Sequence, residues 1–167
     1  MRSLIQYVLF TCIILLVQVL ILNNIHLGGF ATPFLYIWLI LKLPNDLSRP
    51  LTITIGFFLG LAVDLFANTP GMHALATSFL AYMKEPLMVL FVPREDVKNG
   101  TASIKLMGMG AYLRYLISAV VLYCMALYLI EAFTFFNFWI LMMKIVSSAL
   151  FTFLLIIGIE SLKPVAK

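Results

Sequence analysis

Apolar residues in this chain fall in long runs with brief polar breaks, unlike the one-sided stripe of a soluble amphipathic helix. Leu4 to Leu22 is interrupted only by Gln6, Thr11 and Gln18. Comparable runs follow at 50–66, 70–91, 111–130 and 137–159. A hydrocarbon core about 30 Å thick is crossed by about 20 helical residues, so each run is a candidate membrane span. The first run exceeds a signal-peptide core and has no Ala-x-Ala site after it, which predicts an uncleaved span.

A sixth segment, 27–43, is less regular. Thr32-Pro33 reads as an N-cap with proline at the first helical position, and Pro44 stops the helix by Leu43. A helix over 33–43 rises only about 16 Å, so the backbone before it must cover the remaining depth. Non-helical backbone is tolerated there only where protein shields it from lipid. With this segment counted, the fold class is an all-α integral membrane protein, a six-helix transmembrane bundle forming one domain.

Charge supports that count. Arg2, Lys42 and Arg49, the 93–105 loop with Arg94, Lys98 and Lys105, and the tail from Glu160 with Lys163 and Lys167 share one side if six spans alternate. The opposite loops hold no Lys or Arg, which places both termini in the cytoplasm. The cluster of Phe133, Phe135, Phe136, Phe138 and Trp139 reads as an interfacial aromatic belt on the outer side.

Composition narrows the function classes. The 167 residues are 63% hydrophobic and 11% charged, with a net charge of +4. Soluble domains carry about 25% charged residues. No soluble basic face is left to bind nucleic acid, so the excess charge is a topology signal. Cys12 and Cys124 both lie inside apolar runs, against a disulfide framework or a metal site. No phosphate-binding glycine loop, metal-spaced His/Cys cluster or Gly-x-Ser-x-Gly elbow occurs, so no catalytic residue, cofactor or metal is expected.

The densest signal is Gly56-x-x-x-Gly60-x-x-x-Asp64, followed by the turn Asn68-Thr69-Pro70-Gly71 and then Met72-His73. Helical positions four apart share a face. The two glycines permit close helix approach, either inside this chain or against a partner. Asp64 at a helix C-terminus opposes the macrodipole, and the helix starting beside it, with Thr69 as its cap, could resolve the conflict. His73 and Lys144 are the candidate partners of Asp64. An intramembrane carboxylate is a functional candidate by default. A structural pair pinning the hairpin, ion or proton handling, and an enzymatic Asp64/His73 pair remain open. Lys84 and Arg114 read as snorkelling cations, and Glu85 as a partner for Arg114.

Several stretches together resemble the rod shape-determining protein MreD family. They are Thr32-Pro33, Trp38-Leu39-Ile40-Leu41-Lys42-Leu43-Pro44, the Gly56/Gly60/Asp64 stretch with Leu65-Phe66, and Gly71-Met72-His73-Ala74-Leu75-Ala76. The likeness covers mainly residues 32–82. It implies a non-catalytic scaffold of the bacterial inner membrane that maintains cell shape within the cell-elongation machinery. The implied partners are an MreC-like single-span protein, a RodA-like glycosyltransferase, a class B penicillin-binding transpeptidase and an MreB-like actin homologue, beside membrane lipid. It also implies a fold like the substrate-binding (S-component-like) subunits of vitamin transporters. The alternative function is therefore a small-molecule-binding subunit of a membrane transporter, with Asn23, Asn24, His26, Thr32, Asp64, Asn68 and His73 as its outer-side polar groups.

Overall fold

The structure, a computed structural model, describes residues 2–22, 32–93, 97, 100–132 and 138–162. Among them every regular element is helical: α1 Arg2–Leu20, α2 Ile37–Leu41, α3 Arg49–Ala67, α4 Met72–Val89, α5 Ile104–Met107, α6 Met109–Glu131 and α7 Phe138–Leu162. Arg49–Ala67, Met109–Glu131 and Phe138–Ser161 are each long and apolar enough to cross a membrane. Their outward faces bear Phe58, Leu65, Leu129, Val146 and Leu154, all exposed. Apolar surface so dense on long helices fits lipid rather than water, and the chain is a helical membrane protein. Loop 23–29, residues 94–96 and 98–99 of the charged loop, Phe133–Phe136 of the aromatic cluster and the basic tail lie outside the described residues.

The α3–α4 hairpin is the most extensive helix pair. Gly56 and Gly60 are buried on α3, facing α4. A Cβ on Gly56 would lie 2.9 Å from the Ala81 Cβ and 3.0 Å from the Thr77 carbonyl oxygen. At Gly60 it would lie 2.5 Å from the His73 carbonyl oxygen and 2.6 Å from the Ala74 Cα, and would strike the Thr77 hydroxyl. Without a Cβ, the α3 backbone rests directly on α4. The small-residue stripe therefore packs inside the chain. α4 in turn packs on α6, and α6 on α7.

Segment 32–43 departs from the helix expected over 33–43. Only Ile37–Leu41 is helical, and Thr32 does not cap it. Its early backbone bonds to side chains of other helices. The Thr32 amide donates to Ser148 Oγ (3.0 Å) and the Phe34 amide to Thr152 Oγ1 (2.9 Å), both on α7. Gln18 of α1 accepts from the Leu35 amide (2.7 Å) and donates to the Pro33 carbonyl (2.9 Å). Gln18, Ser148 and Thr152 are wholly buried, as are Tyr36, Ile37 and Ile40. Irregular backbone lies within the bundle because polar side chains replace the bonds a helix would have made.

Charges at the end where α3 begins are also drawn inward. α7 runs past Glu160, which is part of the helix rather than the start of a tail, and its carboxylate meets Lys42 Nζ at 2.6 Å. Lys42 also donates to the Ala102 carbonyl (2.8 Å) and sits over the Tyr112 ring, while Trp38 Nε1 donates to Glu160 (3.2 Å). Lys84 does not snorkel. It is 3% exposed, and its ammonium donates to the Leu43 carbonyl. Glu85 pairs with Arg49 at 2.6 Å, in place of the expected Arg114. α4 continues through Lys84-Glu85-Pro86 to Val89.

Two stability outcomes follow. Gly60→Ala is expected to destabilise the detergent-solubilised protein by about 1–3 kcal/mol, the usual range for overpacking a rigid contact. Gly158→Ala, where a Cβ meets nothing within 4 Å, should be neutral or slightly stabilising in the same unfolding assay, because alanine favours a helix. Equal melting of the two variants would contradict the close-packed hairpin. Glu160→Gln should destabilise more than the double change Lys42→Met with Glu160→Leu, because the single change strands a largely buried cation. Measured unfolding midpoints in the reverse order would rule that out.

Candidate functional site at the α3–α4 turn

α3 ends with Asn68 in the left-handed conformation (φ 54°), and both its amide and that of Thr69 return to the Asp64 carbonyl. The turn passes exposed Pro70 and reaches Gly71, also left-handed at φ 82°, which occupies the N-cap position of α4. Glycine suits that conformation because it lacks a Cβ. For the same reason it offers no side-chain oxygen to the first amides of α4, which need acceptors.

Asp64 supplies them from the other helix. Its Oδ1 accepts from the His73 amide (3.0 Å) and its Oδ2 from the Ala74 amide (2.8 Å). The Thr69 hydroxyl donates to Oδ1 as well (2.9 Å). The Met72 amide bonds to the Thr69 carbonyl (3.4 Å) and the Leu75 amide to that of Gly71 (3.0 Å). The carboxylate thus acts as the N-cap of α4, and its charge faces the positive end of that helix. Thr69 supports Asp64 and does not cap α4 by itself, a correction to the expected cap.

Neither expected side-chain partner of Asp64 is found. Lys144 pairs with Glu131 at 3.0 Å, with its nitrogen 5.8 Å from the centre of the Tyr128 ring. The His73 ring turns to the bundle core, where Nδ1 lies 2.9 Å from the Tyr36 hydroxyl and 3.0 Å from that of Tyr123. Those two hydroxyls also bond to each other. The link from Asp64 to His73 runs through the backbone amide, not the imidazole.

Two hydroxyls bring two protons to three mutually bonded atoms, so with Nδ1 as acceptor one hydroxyl donates to the other, which donates to nitrogen, and both protons are used. Phe34 covers the cluster, its ring 5.7 Å from His73 and 5.4 Å from Tyr123. Tyr128 donates to or accepts from Ser148 Oγ at 2.6 Å, which joins this core to the backbone of Thr32.

Gly56, Gly60, Asp64, Asn68, Pro70, Gly71 and His73 thus form one continuous unit, and Lys144 lies apart from it. Sequence reasoning missed Tyr36, Tyr123, Gln18, Ser148 and Thr152. The available signal was polar atoms inside apolar runs, each needing a partner once buried. Chemically, the arrangement holds α3, α4, α6, α7 and segment 32–43 in register. Asp64 is occupied by three donors, and His73 Nδ1 by tyrosine hydroxyls.

Asp64→Ala is expected to destabilise by about 2–3 kcal/mol, through loss of charge-assisted bonds and a helix cap. Asp64→Asn, which keeps one acceptor, should fall between that variant and wild type. Chemical unfolding in detergent measures both, and an Asp64→Ala protein as stable as wild type would refute the capping role. Comparison of the chain with protein-family models, curated proteins and solved structures finds no match.

Proposed function

We propose that the protein is a non-catalytic, multi-pass scaffold of the bacterial inner membrane, with both termini cytoplasmic, serving the cell-elongation machinery. Its partners in this reading are an MreC-like single-span protein, RodA-like and penicillin-binding wall synthases and an MreB-like filament, beside membrane lipid. The resemblance of residues 32–82 to the MreD family supplies these identities, and the Lys/Arg asymmetry of the loops supplies the topology.

The observation that carries the scaffold class is how the membrane-buried polar groups are used. Asp64 caps α4, His73 holds two tyrosines, Gln18, Ser148 and Thr152 hold the broken segment, and Lys42 holds Glu160. A ligand site needs polar groups that converge on open space, within a cavity of about 300–1,000 Å³. Of the groups expected to line a transporter ligand site, Asp64 converges on backbone amides and His73 on tyrosine hydroxyls, while Asn23, Asn24 and His26 lie outside the described residues. A rigid body whose polar groups stabilise its own fold suits a structural partner better than a small-molecule carrier.

Affinity purification of the tagged protein from native membranes, read by mass spectrometry, tests the reading. Recovery of an MreC-like protein with wall synthases is expected. Recovery of ATPase and coupling subunits would replace the scaffold with the transporter-subunit alternative.

A further inference from the structure

Lys84 stands out among the charges of the bundle. It is 3% exposed, and no carboxylate lies within 4.0 Å of its nitrogen among the described residues; the charge of exposed Asp46 acts on it only from farther away. Its described bond goes to the Leu43 carbonyl, a neutral acceptor for one of three ammonium protons. The other buried cation, Lys42, has Glu160. Removing a cation from water without a counter-charge is costly, and proteins pair such groups.

The space beside Lys84 is open. A recess of about 30 Å³ has buried Thr52, Ala81 and Lys84 among its walls and exposed Pro44, Arg49 and Tyr82 at its rim. That volume admits one or two oxygen-sized groups. The first turn of α3 borders it through Arg49 and Thr52. Ser48, the N-cap, makes no side-chain capping bond there, and Pro50 follows in the first turn. Glu85 also lines the recess, but its carboxylate is engaged by Arg49 Nε at 2.6 Å.

We propose that this recess is a binding site for a single phosphate group, which inserts one or two oxygens against the Lys84 ammonium while its remainder stays in the open mouth. Three features favour an anion of this size: a buried cation with no carboxylate in contact, a helix N-terminus beside it, and an exposed arginine, shared with Glu85, at the rim. The chain spans a membrane, and the recess lies where α3 starts, so the phosphate comes either from a phospholipid headgroup or from solution. The site is independent of the scaffold reading, because it requires only the bundle itself.

The test uses the full chain in detergent, with thermal unfolding followed during titration of phosphatidylglycerol, phosphatidylcholine or inorganic phosphate. Native mass spectrometry counts retained adducts in parallel. The expected result is saturable stabilisation with one phosphate-bearing adduct, and apparent affinity about tenfold weaker or worse in Lys84→Met. Thr52→Leu, which fills the recess and leaves the lysine, should weaken it as well, so the test survives if Lys84→Met does not fold. Stabilisation by inorganic phosphate as well as lipid identifies a free-anion site; stabilisation by phospholipid alone identifies a headgroup site. No saturable stabilisation, or equal affinity in wild type and Thr52→Leu, overturns the proposal.

Discussion

Where α3 turns into α4, one carboxylate meets two backbone amides and a hydroxyl, and much of the bundle rests on that contact. A helix start buried within the bundle has free amides and little water to satisfy them, and here a left-handed glycine at the N-cap supplies no acceptor. A charge at the end of α3 would by itself be misplaced. Each problem answers the other once the helices lie close enough, and Gly56 and Gly60 permit that approach. Glycine stripe, carboxylate and tight turn act as one device. The stripe sets the distance, the turn sets the direction, and Asp64 completes the hydrogen bonding.

The fixed start of α4 then positions the core. His73 is held by its own amide to Asp64, and its ring reaches Tyr36 on segment 32–43 and Tyr123 on α6. Segment 32–43 could not lie in a membrane alone, since most of it lacks helical hydrogen bonds. It is held by Gln18 from one side and by Ser148 and Thr152 from another. At the opposite end of α3, Lys42 and Glu160 tie the same segment to α7. The irregular segment is thus the part that most of the long helices share.

The sequence showed features that depend on spacing along the chain. Gly56, Gly60 and Asp64 announce their common face by four-residue steps. Pro33 and Pro44 bracket a segment too short to cross as a helix. Contacts between distant residues left no such trace. Tyr36 and Tyr123 are separated by 87 positions, and each looks like ordinary apolar filling within its run. Glu160 read as the start of a polar tail because its partner lies 118 residues away. Lys144 looked suitable for Asp64 by depth, but depth does not fix the rotation of a helix, and Glu131 is its neighbour instead. Lys84 misled in a related way. A long cation near a membrane surface ordinarily reaches for water, yet the Leu43 carbonyl and the 44–49 loop cover this one.

Asp64 caps α4 through the amides of His73 and Ala74, and amide hydrogen exchange at those two residues probes that role without an intermediary. Solution NMR of the labelled protein in detergent micelles would follow them in wild type and in Asp64→Asn. Slow exchange at both amides in wild type is expected. In the variant the Ala74 amide should exchange far faster, while amides in the middle of α6 stay protected. Unchanged protection at His73 and Ala74 in a folded Asp64→Asn protein would contradict the account, because those amides would then have acceptors other than the carboxylate.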